Sequence, residues 1–539
     1  MNVIYAKQHR GVVVAQNGVV AASQPLAVSA GLEVLQRGGN FADAAIATSA
    51  VLCVTEPYNS HLGGDAFIIV YDAKTASTTA LNASGAAPKQ ATPDRFPEGI
   101  PIRGLTAAAV PGLVSAWFRF HSEWGSLPFA ELLQPAIRYA EQGFPCSYRY
   151  ARIFGDHGAL AQEFPNTFAA LSNGKTKIKP GEIITQPDLA WTLRQIAEGG
   201  RDAFYKGSIT ERLVAHSAKV GGLFSAEDFA EHETQVTPPL QTTYRGYTVH
   251  GQPPVSQGHI LLQELNLVEG FELPKLGHNS AEAIHLQVEA KRLAFADRAA
   301  YLGDPRFVKV PMETLLSKPY ADERRKQIST ERTSESVTAG EIDHDTTYFC
   351  VADRWGNAVS FIQSIFWGFG CGVVAEGTGV LFNNRMTGFS LDPSSPNMLA
   401  PGKRPAHTLN AYLVTKESEG KHTLAFVGGT PGGDIQVQSN LQVISNVIDY
   451  GMNPQEAIEA PRWQHGIGVG GDGSPQQTLW IEERVSPEVV EGLRAKGHRV
   501  ESLGNWGHGS SYQLIIRDPE NGVYHAGSDP RCDGEAVGF

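Results

Sequence analysis

Thr346 stands where a polar stretch ends and a strand-like run begins. Around 317–345 the chain changes character, and Ser-Thr-Glu-Arg-Thr-Ser-Glu-Ser (329–336) has the turn-rich composition of an exposed linker. The stretch closes on Asp345, and Thr346-Thr-Tyr-Phe-Cys-Val-Ala-Asp353 follows. A cut between Asp345 and Thr346 would place a hydroxyl nucleophile and a free α-amine on one residue. Such an amine titrates at about 7.7–8.0, so it can take the hydroxyl proton near neutral pH without a separate histidine. On local pattern alone, a threonine that simply opens a strand is the plainer alternative.

Other chemistries find less in the sequence. No GxSxG nucleophile elbow is present, so an α/β-hydrolase has no anchor, and no CxxC or HExxH pattern appears, so no structural zinc site is visible. Gly368-Phe-Gly-Cys-Gly372 lacks the dinucleotide fingerprint's third spacing, and Gly428–Gly433 is not followed by Lys-Ser/Thr, so neither is a phosphate loop. Five cysteines (Cys53, Cys146, Cys350, Cys371, Cys532) are few, odd in number and widely spaced, which speaks against a disulfide framework and for a reducing compartment. Lys plus Arg total 44 against 56 Asp plus Glu, a formal net charge of −12 with no long basic run. Nucleic acid is therefore not an expected partner. The longest apolar window, Phe41 to Val54, is broken by Asp43 and falls short of the roughly 20 residues that span a bilayer. The N-terminus shows no basic start followed by an unbroken apolar run. A cytoplasmic protein without membrane contact is the expectation.

The elements that must position Thr346 are partly readable. The 539 residues, 42% hydrophobic, suffice for a large core. Ala21–Arg37 reads as helix, Gly38-Gly39-Asn40 breaks it, and Phe41–Val54 reads as a buried small-residue helix. Ala66–Asp72 is a buried strand, and Thr106 to about Tyr301 is mostly helical, with Asn279 as N-cap and Glu282 three residues on. Thr346–Asp353 and Ala358–Ser364 form a hairpin; Gly379–Asn383, Ala411–Val414 and Leu424–Val427 are strand-like. Gly428-Gly-Thr-Pro-Gly-Gly433 leads into a helix with Ile435, Leu441, Ile444 and Ile448 on one side.

Several segments, in order along the chain, resemble the gamma-glutamyltransferase (gamma-glutamyltranspeptidase) family. They include Gly38–Ala45, Glu56-Pro57 with Gly63-Gly-Asp65, Val110-Pro-Gly112 and Ala296-Asp-Arg-Ala-Ala-Tyr-Leu-Gly-Asp-Pro305. Asp345-Thr-Thr-Tyr348, Asp353–Ala358, Leu381-Phe-Asn-Asn384, Gly402-Lys-Arg-Pro405, Gly429–Gly433 and Ala526–Arg531 with Asp533-Gly534 continue the series. The resemblance implies an α+β fold, a four-layer αββα sandwich of the N-terminal nucleophile hydrolase type, made as a precursor that cleaves itself. A large chain, 1–345, and a small chain, 346–539, would associate after the cut as one globular unit, with further pairing allowed. Thr346 would attack a small-molecule amide and pass the acyl group to water or to an amine acceptor, without a metal or organic cofactor. Ser364 falls on the family's second hydroxyl residue, and Gly432 and Gly433 on the glycines of the oxyanion hole. Small residues before a helix leave N–H groups free for such a role. Asn383 and Asn384 are expected to brace the same sheet edge.

The donor pocket departs from the family. Ser84 occupies the place of the arginine that holds the donor's α-carboxylate, and His407-Thr408 replaces a Ser-Ser pair. Phe366 replaces an Asn that holds the α-ammonium, while Arg385 and Gly388 replace its acidic partners. Losing one partner of a desolvated charge pair costs about 2–5 kcal/mol, or about thirtyfold and more in affinity. A smaller or purely anionic acyl group, oxamate-like or glutaryl-like, is therefore expected, its carboxylate met by Arg385 with His407 and Thr408. The alternatives are a true glutathione hydrolase with a reshaped site and an unprocessed binding protein of the same fold.

Overall fold

In the computed structural model the described residues are 8–334, 346–418, 420–466 and 477–539. Asp345 and the part of the proposed linker from 335 onward lie outside them. Two seven-stranded sheets organise the chain. The first runs Glu535–Gly538, Gly18–Ala22, Thr347–Asp353, Ala358–Ser364, Asp65–Asp72, Ser77–Asn82, Gln235–Thr237, and every neighbouring pair is antiparallel. The second runs Val13–Ala15, Tyr524–Ser528, Gln513–Arg517, Lys421–Gly429, Tyr412–Ser418, Tyr247–Gly251, Leu240–Tyr244, also antiparallel throughout.

Alternation along the strands explains the layering, because successive side chains point to opposite faces. Tyr348, Cys350 and Ala352 join Phe67, Ile69, Leu413, Val427 and Ile515 in a core between the sheets. Phe349 and Val351 face the other way, into a core with helices Pro25–Gln36, Phe41–Thr55 and Leu113–Trp124. Helices Gly258–Val268, Ala281–Tyr301 and Ile435–Ile448 cover the second sheet. The order helix, sheet, sheet, helix is the four-layer α+β sandwich. Its strands are buried on both faces, so they read as apolar runs.

The hairpin stands as read, with strands Thr347–Asp353 and Ala358–Ser364 in continuous register. Other expectations need correction. Ala21 and Ala22 end a strand, and the helix begins at Pro25 behind Gln24, whose side chain accepts from the Leu26 and Ala27 amides. Asn279 adopts a left-handed φ of 52° and donates to the Pro461 carbonyl, so Ser280 caps the helix one residue later. Three strands between 235 and 251 interrupt the helical middle. Gly379–Asn383 contributes isolated bridges rather than a strand. Lys318–Arg325 is helical, and Thr333 and Ser334 are bonded to Glu289 and Arg292. All five cysteines are free and buried. Among the described residues, no helix is long and apolar enough to cross a membrane.

Candidate active site

Thr346 precedes the strand that lies third in the first sheet, and it is 2% exposed. Its hydroxyl donates to Ser364 Oγ at 3.2 Å. Ser364 ends the next strand and also accepts the Phe366 amide at 2.7 Å. Phe366 holds a φ of 84°, a left-handed conformation that costs a side-chain-bearing residue about 1–3 kcal/mol unless its surroundings impose it. Here the Ser364 hydroxyl and, one residue on, Asn384 Oδ1, which accepts the Trp367 amide at 3.1 Å, hold the turn. Asn383 braces the same edge by donating to the carbonyls of Gly63 and Ala109.

Next to Thr346, Thr347 Oγ1 donates to Glu56 Oε2 at 2.9 Å, and Ser23 and Asn59 bond the same oxygen. Burial raises the Glu56 carboxyl above its usual range, against the pull of Arg149 and these hydrogen bonds.

Asp65 is paired with Ser364 across the two strands. Its carboxylate takes a forked bond from Arg385 (Nε to Oδ2 2.8 Å, Nη2 to Oδ1 3.1 Å) and a third from His407 Nε2 at 2.8 Å. Burial alone would raise the Asp65 carboxyl, but Arg385 and His407 outweigh it and hold it below the usual carboxylate range. Burial, with the Arg385 charge adding to it, lowers His407 to about 4. The imidazole is therefore neutral near pH 7 and donates from Nε2. Arg385 lies 4.3 Å from the Phe366 ring centre. Its third nitrogen, Nη1, is buried and has no partner among the described residues, and the same holds for Thr408 Oγ1. Ser84 is also buried, but its hydroxyl is spent on Asn82 Oδ1 at 2.6 Å.

The glycine pair follows a strand of the second sheet. Gly429 ends its strand so close to Tyr348 that a Cβ there would lie 2.5 Å from the ring. Gly432 and Gly433 follow with φ of 119° and 54°, conformations that L side chains rarely adopt. Their carbonyls accept the Ile435 and Gln436 amides that open the helix. Their own amides donate to no acceptor among the described residues. Gln257 Nε2 ties the two sides together, donating to the Thr408 carbonyl at 2.7 Å and the Gly433 carbonyl at 3.1 Å.

The structure thus bonds Thr346, Ser364 and Phe366 in one chain, sets Arg385 over the Phe366 ring and joins it to His407 through Asp65, and links Thr408 to Gly433 through Gln257; Gly432 bonds Ile435 at the helix start. Ser84 is left off these hydrogen-bond paths. Sequence reading missed Asp65 and Gln257. Asp65 lay inside a quoted Gly-Gly-Asp turn, and Gln257 sat in no motif.

Among the described residues, one His/Glu group could be considered for a metal: His285, Glu289 and His498, with ligand atoms within 4.8 Å of one another. Its atoms are already engaged. Glu289 accepts from Arg292, Thr333 and Ser334, and His285 bonds His498 at 2.7 Å and the Ser329 carbonyl at 2.7 Å. With Arg292 on the carboxylate, the cluster anchors segment 329–334 rather than a cation.

Two antiparallel sheets between helix layers give this chain the architecture of an amide-cleaving hydrolase of the N-terminal nucleophile class. Within that class the chain belongs to the gamma-glutamyltranspeptidase family, whose model matches residues 27–539. It is 38% identical over 533 residues to the glutathione hydrolase-like YwrD proenzyme of Bacillus subtilis (strain 168), across 98% of this chain and 99% of that one. It is 37% identical to the acylase ACY 1 proenzyme of Pseudomonas sp. (strain V22), across 90% and 87% of the two chains. The crystal structure of cephalosporin acylase from Bacillus halodurans superposes with a TM-score of 0.91 at 37% identity, covering 98% of this chain and 97% of that one.

Proposed function

We propose that this family member cuts itself between Asp345 and Thr346 and then hydrolyses a small amide whose acyl group carries a carboxylate. After the cut, the Thr346 α-amine would take the proton from Oγ as Oγ attacks the amide carbon. Ser364 would hold Oγ in line, and the Gly432 and Gly433 amides would meet the developing oxyanion. Collapse of the tetrahedral adduct returns the proton to the leaving amine and leaves an ester on Thr346. Water, or an amine acceptor, then releases the acyl group by the same steps in reverse.

The observation that carries the substrate reading is the pair of orphaned buried donors, Arg385 Nη1 and Thr408 Oγ1. A buried donor left unmade costs about 1–3 kcal/mol, and more when charged. A carboxylate oxygen is the kind of acceptor that each of them lacks. The carboxylate of this site, Asp65, is already held by Arg385 and His407, so a donor ammonium would find no open anion there. An acyl group with a terminal carboxylate and no α-ammonium fits this set.

The test is a side-by-side assay of glutaryl-p-nitroanilide, oxamate and gamma-glutamyl-p-nitroanilide. The proposal expects kcat/KM for one of the first two to exceed that for the gamma-glutamyl compound by about thirtyfold or more, in line with one missing charge partner. Preference for the gamma-glutamyl compound would overturn the pocket argument while leaving Thr346 in place.

A further inference from the structure

The backbone that presents Gly432 and Gly433 is held from the other side of the proposed cut. Arg298 lies on helix Ala281–Tyr301, in the large-chain part of the sequence. Its Nη1 donates to Gln257 Oε1 at 2.7 Å, and its guanidinium grips Asp434, with Nη2 to Oδ2 at 2.7 Å and Nη1 to Oδ1. Asp434 is the residue directly after the glycine pair and the N-cap of helix Ile435–Ile448, yet its carboxylate bonds no amide of the first turn. Gln257 completes the loop through its bonds to the Thr408 and Gly433 carbonyls. Arg298 therefore holds the C-terminal end of the glycine pair twice, directly through Asp434 and, by way of Gln257, at the Gly433 carbonyl.

We propose that Arg298 is a positioning residue for the oxyanion donors, acting through Asp434 and Gln257; this rests on the reading of Gly432 and Gly433 given above. The physical need is plain. Two glycines in a row have the widest backbone freedom of any dipeptide, and nothing in their own side chains fixes where their N–H groups point. An oxyanion donor works only when it is already aimed, and a misplacement of about 1 Å can cost about a hundredfold in rate. The helix start alone leaves Gly433 free to rotate about its carbonyl bond to Gln436. A planar guanidinium supplies donors in a fixed fork, so it can hold Asp434 and Gln257 at once. Lysine, a point charge with one nitrogen, cannot reproduce that geometry.

The test compares wild type with Arg298→Lys, Arg298→Ala and Gln257→Met, using the amide that wild type cleaves best and counting only cut enzyme. Backbone amide exchange of residues 428–436 is followed in the same samples. The proposal expects kcat to fall by about tenfold or more in all three variants, with KM within about twofold. It also expects faster exchange at 428–436, and partial recovery of Arg298→Ala kcat when guanidinium is added at millimolar concentration. Unchanged kcat with unchanged exchange would overturn it, as would a rise in KM with kcat intact. If Arg298→Ala exchanges faster across the whole molecule, Gln257→Met decides, because it removes the bonds to Thr408 and Gly433 and leaves the Arg298–Asp434 pair. A wild type that cleaves no amide would sink the Thr346 reading instead, and exchange at 428–436 would then decide the positioning claim alone.

Discussion

Asp65→Leu would leave the Arg385 guanidinium buried without its carboxylate, and Arg385→Leu would leave Asp65 facing only a neutral imidazole. Removing one partner of a buried pair costs about 3–5 kcal/mol, whereas replacing both with apolar groups costs far less. Thermal melting should show each single variant well below wild type and the Asp65→Leu/Arg385→Leu double variant above either one. Strict additivity of the two losses would mean the pair is not a unit. From the sequence, Arg385 could be seen because it departs from the family pattern. Its partner could not, since the pair spans 320 positions and Asp65 sits in a turn motif that has its own explanation. For the same reason Arg385 read as an open cation, whereas two of its three nitrogens are taken.

At the scale of elements, the loop before strand Asp65–Asp72 leaves no room for a side chain. A Cβ on Gly64 would lie 2.3 Å from the Ser364 carbonyl oxygen, and one on Gly63 would lie 2.1 Å from the Leu381 carbonyl oxygen. Gly64→Ala must push the end of strand Ala358–Ser364 aside, and Ser364 is what bonds Thr346. The self-cutting rate of freshly made protein should fall by about tenfold or more, consistent with a displacement of about 1 Å at a reacting group. A Gly64→Ala chain that cuts at the wild-type rate would show that Ser364 does not set the geometry. The helix Phe41–Thr55 and the hairpin were legible because one is a long small-residue run and the other two β-rich runs about a turn. Strand Gly18–Ala22 was not. Its alanines favour no strand, and what makes it one is pairing with Glu535–Gly538 on one side and Thr347–Asp353 on the other.

Across the whole molecule, burial holds many histidines neutral. His61, His259 and His508 are lowered to about 3, and His250, His407 and His498 to about 4. A histidine whose folded pKa lies below its unfolded value takes up protons on unfolding. Its contribution is complete above about 6.5 and is lost as pH falls through the window down to about 3–4. Glu264 acts oppositely: burial raises it to about 8, so its contribution fades as pH rises from its unfolded value toward 8. Burial also lowers His216, His232, His285 and His465 and raises Glu56, Asp297, Asp353 and Asp449. Ten histidines against five carboxyls predict a melting temperature that drops from pH 6.5 to 4; a flat profile there would contradict these burials. The four-layer order itself came from the family resemblance. Periodicity could not supply it, because the sheets interleave strands from the two ends and the middle of the chain, and strands buried on both faces do not alternate.

The central claim is that Thr346 becomes the first residue of a separate chain and acts from there. The most direct measurement is the intact mass of the purified protein beside a Thr346→Ala variant, with amidase activity read on both. The full chain is 58.1 kDa. A cut before Thr346 predicts pieces of about 37 and about 21 kDa in the active protein, in proportion to residues 1–345 and 346–539, and one uncut, inactive chain in the variant. An active protein that remains a single 58.1 kDa chain, or a variant that is cut and active like wild type, would contradict the account.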